Sequence, residues 1–533
     1  MTNQTTTEPR GLDPAVFWPA LAIGGGFVLW GALAPESLTV AARWTLAGII
    51  RSFGWGFVVS TAFFLVFAVF LAFSRFGDIK LGREDEAPEF STPSWVCMMF
   101  SVGMGIGLMF WGAAEPISHF GAPPHALAEP KTKAAALVAM QYSYFHWALH
   151  PWAIYAVVGL ALAYFSYRRG LPMLISRAFQ PLLGSAIHGP AGKAIDVLAI
   201  VATLFGTATS LGLGAQQINS GLNILWGTGE TNGISLAIIA TLTVAFILSA
   251  ISGVGKGVQF LSNMNMVLAV ALLAFLAVCG PTVFVFNTFI ESIGEYISNI
   301  VTMSFRTAAF SDGSWLSSWT IFYWAWWVSW APFVGVFIAR ISRGRSIREF
   351  VVGVLLIPSA VTFVWFTIMG GAALHSELFG PGGLLDAVNA KGEAASLFVL
   401  LAQFPWPALT SAVAMFLVAV FFVSGADAAS VVMGMLSSRG ALEPRPAIVA
   451  LWGALAGASA CVLLVMGGLK GLQTASILAA APFLLVMVGL CVSLWRGLMD
   501  DVTGKSTPLA EARFAELRPA EARTAAIAPA ADA

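Results

Sequence analysis

Long apolar runs alternate with short polar connectors from one end of the chain to the other. A bilayer core of ~30 Å takes about 20 helical residues to cross. Runs of that length fall near 15–34, 54–73, 95–114, 137–165, 192–217, 234–252, 264–285, 316–339, 351–371, 407–434, 447–467 and 474–496. The pattern predicts an all-α polytopic membrane protein with twelve transmembrane helices. Connectors on one side hold Arg75, Lys80, Arg83, Arg168, Arg169, Arg177, Lys256, Arg340, Arg343, Arg345, Arg348, Arg439 and Arg445. The opposite connectors hold only Arg43, Arg51, Lys131, Lys133, Arg306, Lys391 and Lys470, and this bias places both termini in the cytoplasm. One connector is too polar to cross, yet repeats Phe286, Phe289, Ile293, Ile297 and Ile300 at helical spacing. It predicts an amphipathic surface helix near 286–305. The organisation is then a cytoplasmic tail over 1–14, a twelve-helix domain over 15–498 and a cytoplasmic tail over 499–533.

Composition agrees with an integral membrane protein: 58% of the 533 residues are hydrophobic and 10% charged. With 27 basic and 27 acidic residues, no charge field argues for a nucleic-acid partner. The C-terminal tail sets Lys505, Arg513, Arg518 and Arg523 against six acids, so it is no basic lipid-binding cluster. Cys97, Cys279, Cys461 and Cys491 are scattered through apolar runs, without the spacing of a disulfide framework or zinc site.

Two runs depart from ordinary membrane helices. The third reads SVGMGIGLMFWGAAEP, with Gly103, Gly105 and Gly107 alternating. Gly103 and Gly107 form a packing pair of the GxxxG type, which leaves Gly105 unexplained. Alternating glycines weaken the helix by about 1 kcal/mol each, and predict a discontinuous helix whose backbone meets an anionic group or a cation. The eighth run holds YWAWWVSWAPF; Tyr323, Trp326, Trp327 and Trp330 share an arc of about 100°. Trp326 and Trp327 sit near the middle of the run, where an interfacial role is excluded, while Trp324 points elsewhere and reads as packing. The fourth run, QYSYFHWALHPWAIYA, offers Trp147, Trp152 and Tyr155, with a kink expected at Pro151. Indole and phenol faces suit a permethylated cation, which donates no hydrogen bond and gains ~1–2 kcal/mol per face when desolvated.

The stretches GMGIGLMFWGAAEP, HWALHPWAIYA, GTATSLGLGAQQI and YWAWWVSWAPFVGVFIARISRGRS resemble the betaine/choline/carnitine transporter family over roughly residues 12–498. The resemblance implies a five-plus-five inverted repeat of the sodium-symporter type, formed by spans three to seven and eight to twelve, and a homotrimer. It implies an aromatic box of Trp147, Trp152, Tyr155, Trp327 and Trp330, with Trp326 linked to a cytoplasmic-side binding stage. Gly103, Met104, Gly105, Ile106 and Gly107 match the segment that meets substrate. One implied sodium site uses Thr203, Thr207 and Phe333. A second would use carbonyls of Ser101, Met104 and Phe421 with two hydroxyls of the tenth span. There FFVSGAD keeps Ser424, but Gly425 removes the other hydroxyl, so water or a neighbour must replace it.

The expected activity is import of a quaternary-ammonium or related onium solute, glycine betaine foremost, by sodium symport, with no cofactor beyond the coupling ion. Proton-coupled or exchange transport of choline, carnitine or dimethylsulfoniopropionate is the alternative. A channel would not concentrate solute. An enzyme would need a nucleophile with its base or a metal set, and neither is visible. Asp427 reads either as a functional intramembrane acid or as a backbone anchor. Glu115 reads as a solvated or loop-bonding group at an outer helix end. His146 and His150 have metal spacing but no third ligand.

Overall fold

The computed structural model describes residues 11–504 except Met104, Gly253 and Val254, without the side chains of 102–103 and 250–262. Met104 and the tail cations Lys505, Arg513, Arg518 and Arg523 therefore lie outside the described residues. The principal helices are α1 Pro14–Leu33, α2 Pro35–Phe73, α3 Thr92–Gly103, α4 Ile106–Gly121, α5 Lys133–Trp147, α6 Leu149–Ala163 and α7 Pro190–Trp226. They continue with α8 Asn232–Ser252, α9 Gly255–Cys279, α10 Thr282–Ser304, α11 Ser314–Ile341, α12 Ile347–Phe379, α13 Pro407–Ser437 and α14 Pro446–Val502.

Among the described residues, nine helical segments are long and apolar enough to cross a membrane, and two bent pairs raise the number to eleven. The protein is an all-α polytopic membrane protein. Its longest segment, the 57-residue α14, breaks at Gly467 and Gly468, where the sequence places the boundary between two runs. Gly468 adopts φ 55°, open to glycine at little cost.

Several boundaries differ from expectation. Helix α2 begins at Pro35, nineteen residues before the apolar run, so Arg43 and Arg51 belong to a helix and not to a connector. At ~1.5 Å per residue its 39 residues span about 58 Å, longer than a bilayer core. Lys470 likewise lies within α14. The seventh run stops at Cys279, and α10 leaves it at 108° after Gly280 and Pro281. Proline at that junction cannot continue the donor ladder. Helix α10 buries Val285, Ser292, Tyr296 and Met303, and exposes Phe286, Ile290, Ile297 and Val301 on its other side.

Membrane helices approach closely only where side chains are small. Helices α6 and α11 meet at such a point: a Cβ on Gly335 would fall 2.6 Å from Val158, and one on Gly159 would fall 2.5 Å from Ile338. This contact holds together the two helices that carry most of the mid-chain aromatic residues. At one end of the bundle the 74–91 connector docks on the 342–348 turn. Leu81 N–H donates to the Arg345 carbonyl at 2.8 Å, and Gly344 N–H returns to Leu81 at 2.9 Å. Arg343 pairs with Glu86 at 2.6 Å, Arg348 with Asp78 at 2.8 Å, and Arg168 with both Glu84 and Asp501. The basic SRGRSIRE stretch is thus part of a folded, ion-paired corner.

Replacing Gly335 with leucine should force α6 and α11 apart, at a cost of about 1–3 kcal/mol. A thermal-stability scan in detergent should show a lowered midpoint, while Gly294→Ala, with open space around it, should leave the midpoint unchanged.

Candidate functional site

The third run is indeed discontinuous: α3 ends at Gly103, Gly105 is extended at φ −177°, and α4 starts at Ile106. The first amides of α4 have no partner in their own helix, so they are available to a ligand. Gly107 serves a different end. A Cβ there would fall 2.6 Å from the Trp147 ring and 3.0 Å from Trp326, so glycine lets two indoles close on this helix.

The fourth run is also broken, at Ala148 and not at Pro151. Pro151 occupies the first turn of α6, where its missing N–H costs nothing, and the irregular backbone is shifted to the preceding turn. Carbonyls freed by the break are met by neighbours. Trp327 Nε1 donates to His146 O at 2.9 Å, and Thr362 Oγ1 donates to Trp147 O at 3.0 Å. The break therefore orients one cage indole directly and ties the backbone of another.

These elements enclose a cavity of about 350 Å³, of the size that holds a small organic solute. Trp147, Trp152 and Tyr155 line it from α5 and α6; Trp326, Trp327, Trp330 and Phe333 line it from α11. Their rings are in contact: Trp147 to Trp327 at 4.9 Å, Tyr155 to Trp327 at 5.9 Å, Trp152 to Tyr155 at 5.4 Å, and Trp326 to Trp327 at 5.3 Å. Trp330 stands apart, edge-on to Phe333 at 5.1 Å. Gly105, Ile106, Gly107 and Thr207 complete the same wall, as do Ser101, Phe421, Ser424 and Gly425. Thr203 is buried one turn from Thr207 and does not reach the cavity surface. No charged side chain lines the cavity among the described residues.

Glu115 overturns its expected solvated role. It is fully buried inside α4, 0% exposed, because Pro116 continues this helix instead of ending it. Its carboxylate accepts from Trp147 Nε1 at 2.7 Å and Tyr323 OH at 2.5 Å, and pairs with His146 Nδ1 at 2.7 Å and His119 Nε2 at 3.3 Å. His146 and His150 diverge: His146 also meets Thr320 at 3.0 Å, whereas His150 meets Ser304 at 2.8 Å. Ligand atoms of Glu115, His119 and His146 lie within 4.8 Å of one another. The Trp and Tyr donors on the same carboxylate make this a hydrogen-bonded hub that anchors Trp147. Periodicity could not reveal it, since its members come from α4, α5 and α11. Trp324 packs against Phe145 and His150, as expected. Asp427 is half-buried and makes no hydrogen bond or ion pair among the described residues.

A bundle of membrane helices around a central, solute-sized cavity defines an integral membrane transporter. Residues 15–503 match the model of the betaine/carnitine/choline family transporters, and the chain belongs to that family. It is 49% identical over 489 residues to the glycine betaine transporter OpuD of Bacillus subtilis, covering 91% of this chain and 94% of the relative. A probable glycine betaine transporter of Desulfitobacterium hafniense is 46% identical, over 91% of this chain and 97% of its own length. The betaine/ectoine transporter LcoP of Corynebacterium glutamicum is 42% identical, over 92% of this chain and 78% of its own. The protein is therefore a transporter and not an enzyme.

Glu115→Ala should leave the Trp147 and Tyr323 donors buried without acceptors, at about 1–3 kcal/mol each. Purified protein should show a lower unfolding temperature and altered tryptophan emission, with Glu115→Gln intermediate because its amide keeps one acceptor oxygen.

Proposed function

We propose that the protein imports glycine betaine, or a closely related onium zwitterion, by sodium symport. The observation that carries this reading is a cavity walled by eight aromatic side chains from α5, α6 and α11, with no charged side chain in its lining among the described residues. A trimethylammonium head has no N–H to give a carboxylate, but each desolvated ring face attracts it by ~1–2 kcal/mol. Trp147, Trp152, Tyr155, Trp327 and Trp330 would hold that head, and Trp326 would border it. The carboxylate end would meet the first amides of α4, where the helix dipole favours negative charge. Relatives named for glycine betaine at 46–49% identity support the choice of solute.

Sodium would be cargo on the same path. Thr203 and Thr207 donate their hydroxyl protons to Ala199 O and Thr203 O, at 2.8 and 2.7 Å. Their oxygen lone pairs remain for a cation beside the Phe333 ring. A second ion would use carbonyls of Ser101, Met104 and Phe421 with the Ser424 hydroxyl. Gly107 favours this coupling over protons: the family resemblance implies an acidic residue in the third-span glycine motif of proton-coupled choline members, whereas glycine is retained here and a side chain would strike Trp147. Twelve crossings, the inverted repeat, cytoplasmic termini and a homotrimer belong to the same proposal. So does the exposed apolar side of α10 as a surface for lipid or a neighbouring protomer.

Trp330→Leu in proteoliposomes should raise the apparent KM for radiolabelled betaine roughly 5- to 30-fold, the loss of one ring face. Unchanged uptake would count against the cage. Replacing external sodium with potassium should abolish concentrative uptake, and accumulation that persisted would remove sodium from the mechanism.

A further inference from the structure

Helix α4 begins without the device that usually secures a first turn. Its N-cap is Gly105, which has no side chain to cap the free amides, and its first ladder bond, from Met109 N–H to Gly105 O, is long at 3.4 Å. Helix ends of this kind fray. Yet Ile106, Gly107 and Leu108 line the cavity, and the direction of their amides decides what that wall can bind. Two side chains from other helices hold the turn instead. Trp365 of α12 donates from Nε1 to Leu108 O at 2.8 Å, and Gln217 of α7 donates from Nε2 to Met109 O, also at 2.8 Å.

Both donors are buried, Trp365 1% and Gln217 0% exposed, and neither lines the cavity. Each uses the second lone pair that a helical carbonyl keeps beside its own ladder bond. Room for the indole comes from Gly112, one turn beyond Leu108, where a Cβ would fall 2.7 Å from Trp365 Nε1. The Gln217 amide is oriented by its bond, since turning it over would set two carbonyl oxygens against each other. Its Oε1 is left without a partner among the described residues, a loss that an apolar side chain of the same size would avoid. The bond to Met109 O is what glutamine offers here and such a side chain does not. Peptide units are rigid planes, so pinning two successive carbonyls leaves few dihedrals to set where the free amides point.

We propose that Trp365 and Gln217 are positioning residues that preorganise the first turn of α4 and so set the affinity for the negatively charged end of the solute. The inference rests on the reading above, in which a carboxylate meets these amides and the aromatic rings hold the onium head. The two ends are then governed separately. Cage residues act on the head, whereas this pair, outside the cavity lining, acts on the carboxylate through the backbone. Amides already held in place bind an anion better than amides the anion must order.

The test compares two solutes in proteoliposomes. Radiolabelled betaine is followed through its apparent KM, and tetramethylammonium, which has the head without the carboxylate, through its inhibition constant against betaine uptake. Trp365→Phe and Gln217→Met remove the donors and keep the bulk. Each should raise the betaine KM roughly 3- to 10-fold, the worth of one hydrogen bond, with maximal rate and tetramethylammonium inhibition unchanged. Either variant decides if the other does not fold. An unchanged betaine KM, or an equal weakening of both solutes, overturns the positioning role and leaves the cage reading standing. So does a failure of both variants to fold, which would make the two bonds purely structural. Tetramethylammonium that fails to inhibit the unmodified protein overturns the cage reading itself, and this inference with it.

Discussion

Inside a bilayer, a backbone group released from a helix has no water to turn to, so every break must be met by another part of the protein. Two breaks at the centre of this bundle set the rest of the structure. The first, between Gly103 and Ile106, leaves the first amides of α4 without helical partners beside the cavity that Gly105, Ile106 and Gly107 line. The second, at Ala148, frees carbonyls that Trp327 and Thr362 cover from α11 and α12. Backbone irregularity in α5–α6 and the placement of a cage tryptophan on α11 are thus one hydrogen bond seen from two sides.

Glu115 extends the same logic to side chains. A buried carboxylate is tolerated only when its oxygens are occupied, and here indole, phenol and imidazole groups occupy them. Satisfying the acid fixes the Trp147 ring, which lies against Gly107 and edge-on to Trp327. The walls of the cavity are held by directional bonds to a carboxylate outside its lining, while no charged side chain lines the cavity among the described residues. That separation suits a cation bound by ring faces, since a nearby carboxylate exposed to the cavity would favour smaller, hydrogen-bonding cations.

Much of this was legible in the chain. Apolar runs, the interrupted glycine segment and the mid-run tryptophans each follow a local rule, and the structure brings the residues they point to into one cavity. The fourth-run break was placed too late, because proline at a first turn is tolerated and the strain passes to the residue before the new helix. Glu115 was misread because Pro116 looked like a helix end, yet a proline inside α4 leaves the helix running.

The sequence by itself determined that the chain is a polytopic α-helical membrane protein of this transporter family, because hydrophobic run length and local motif chemistry act over a few turns of chain. Only the tertiary structure decided which carbonyls are capped, where Glu115 finds its donors and why Gly107 cannot carry a side chain. Those answers depend on groups separated by dozens to hundreds of residues, and helix packing in three dimensions is what brings them within hydrogen-bonding or van der Waals reach.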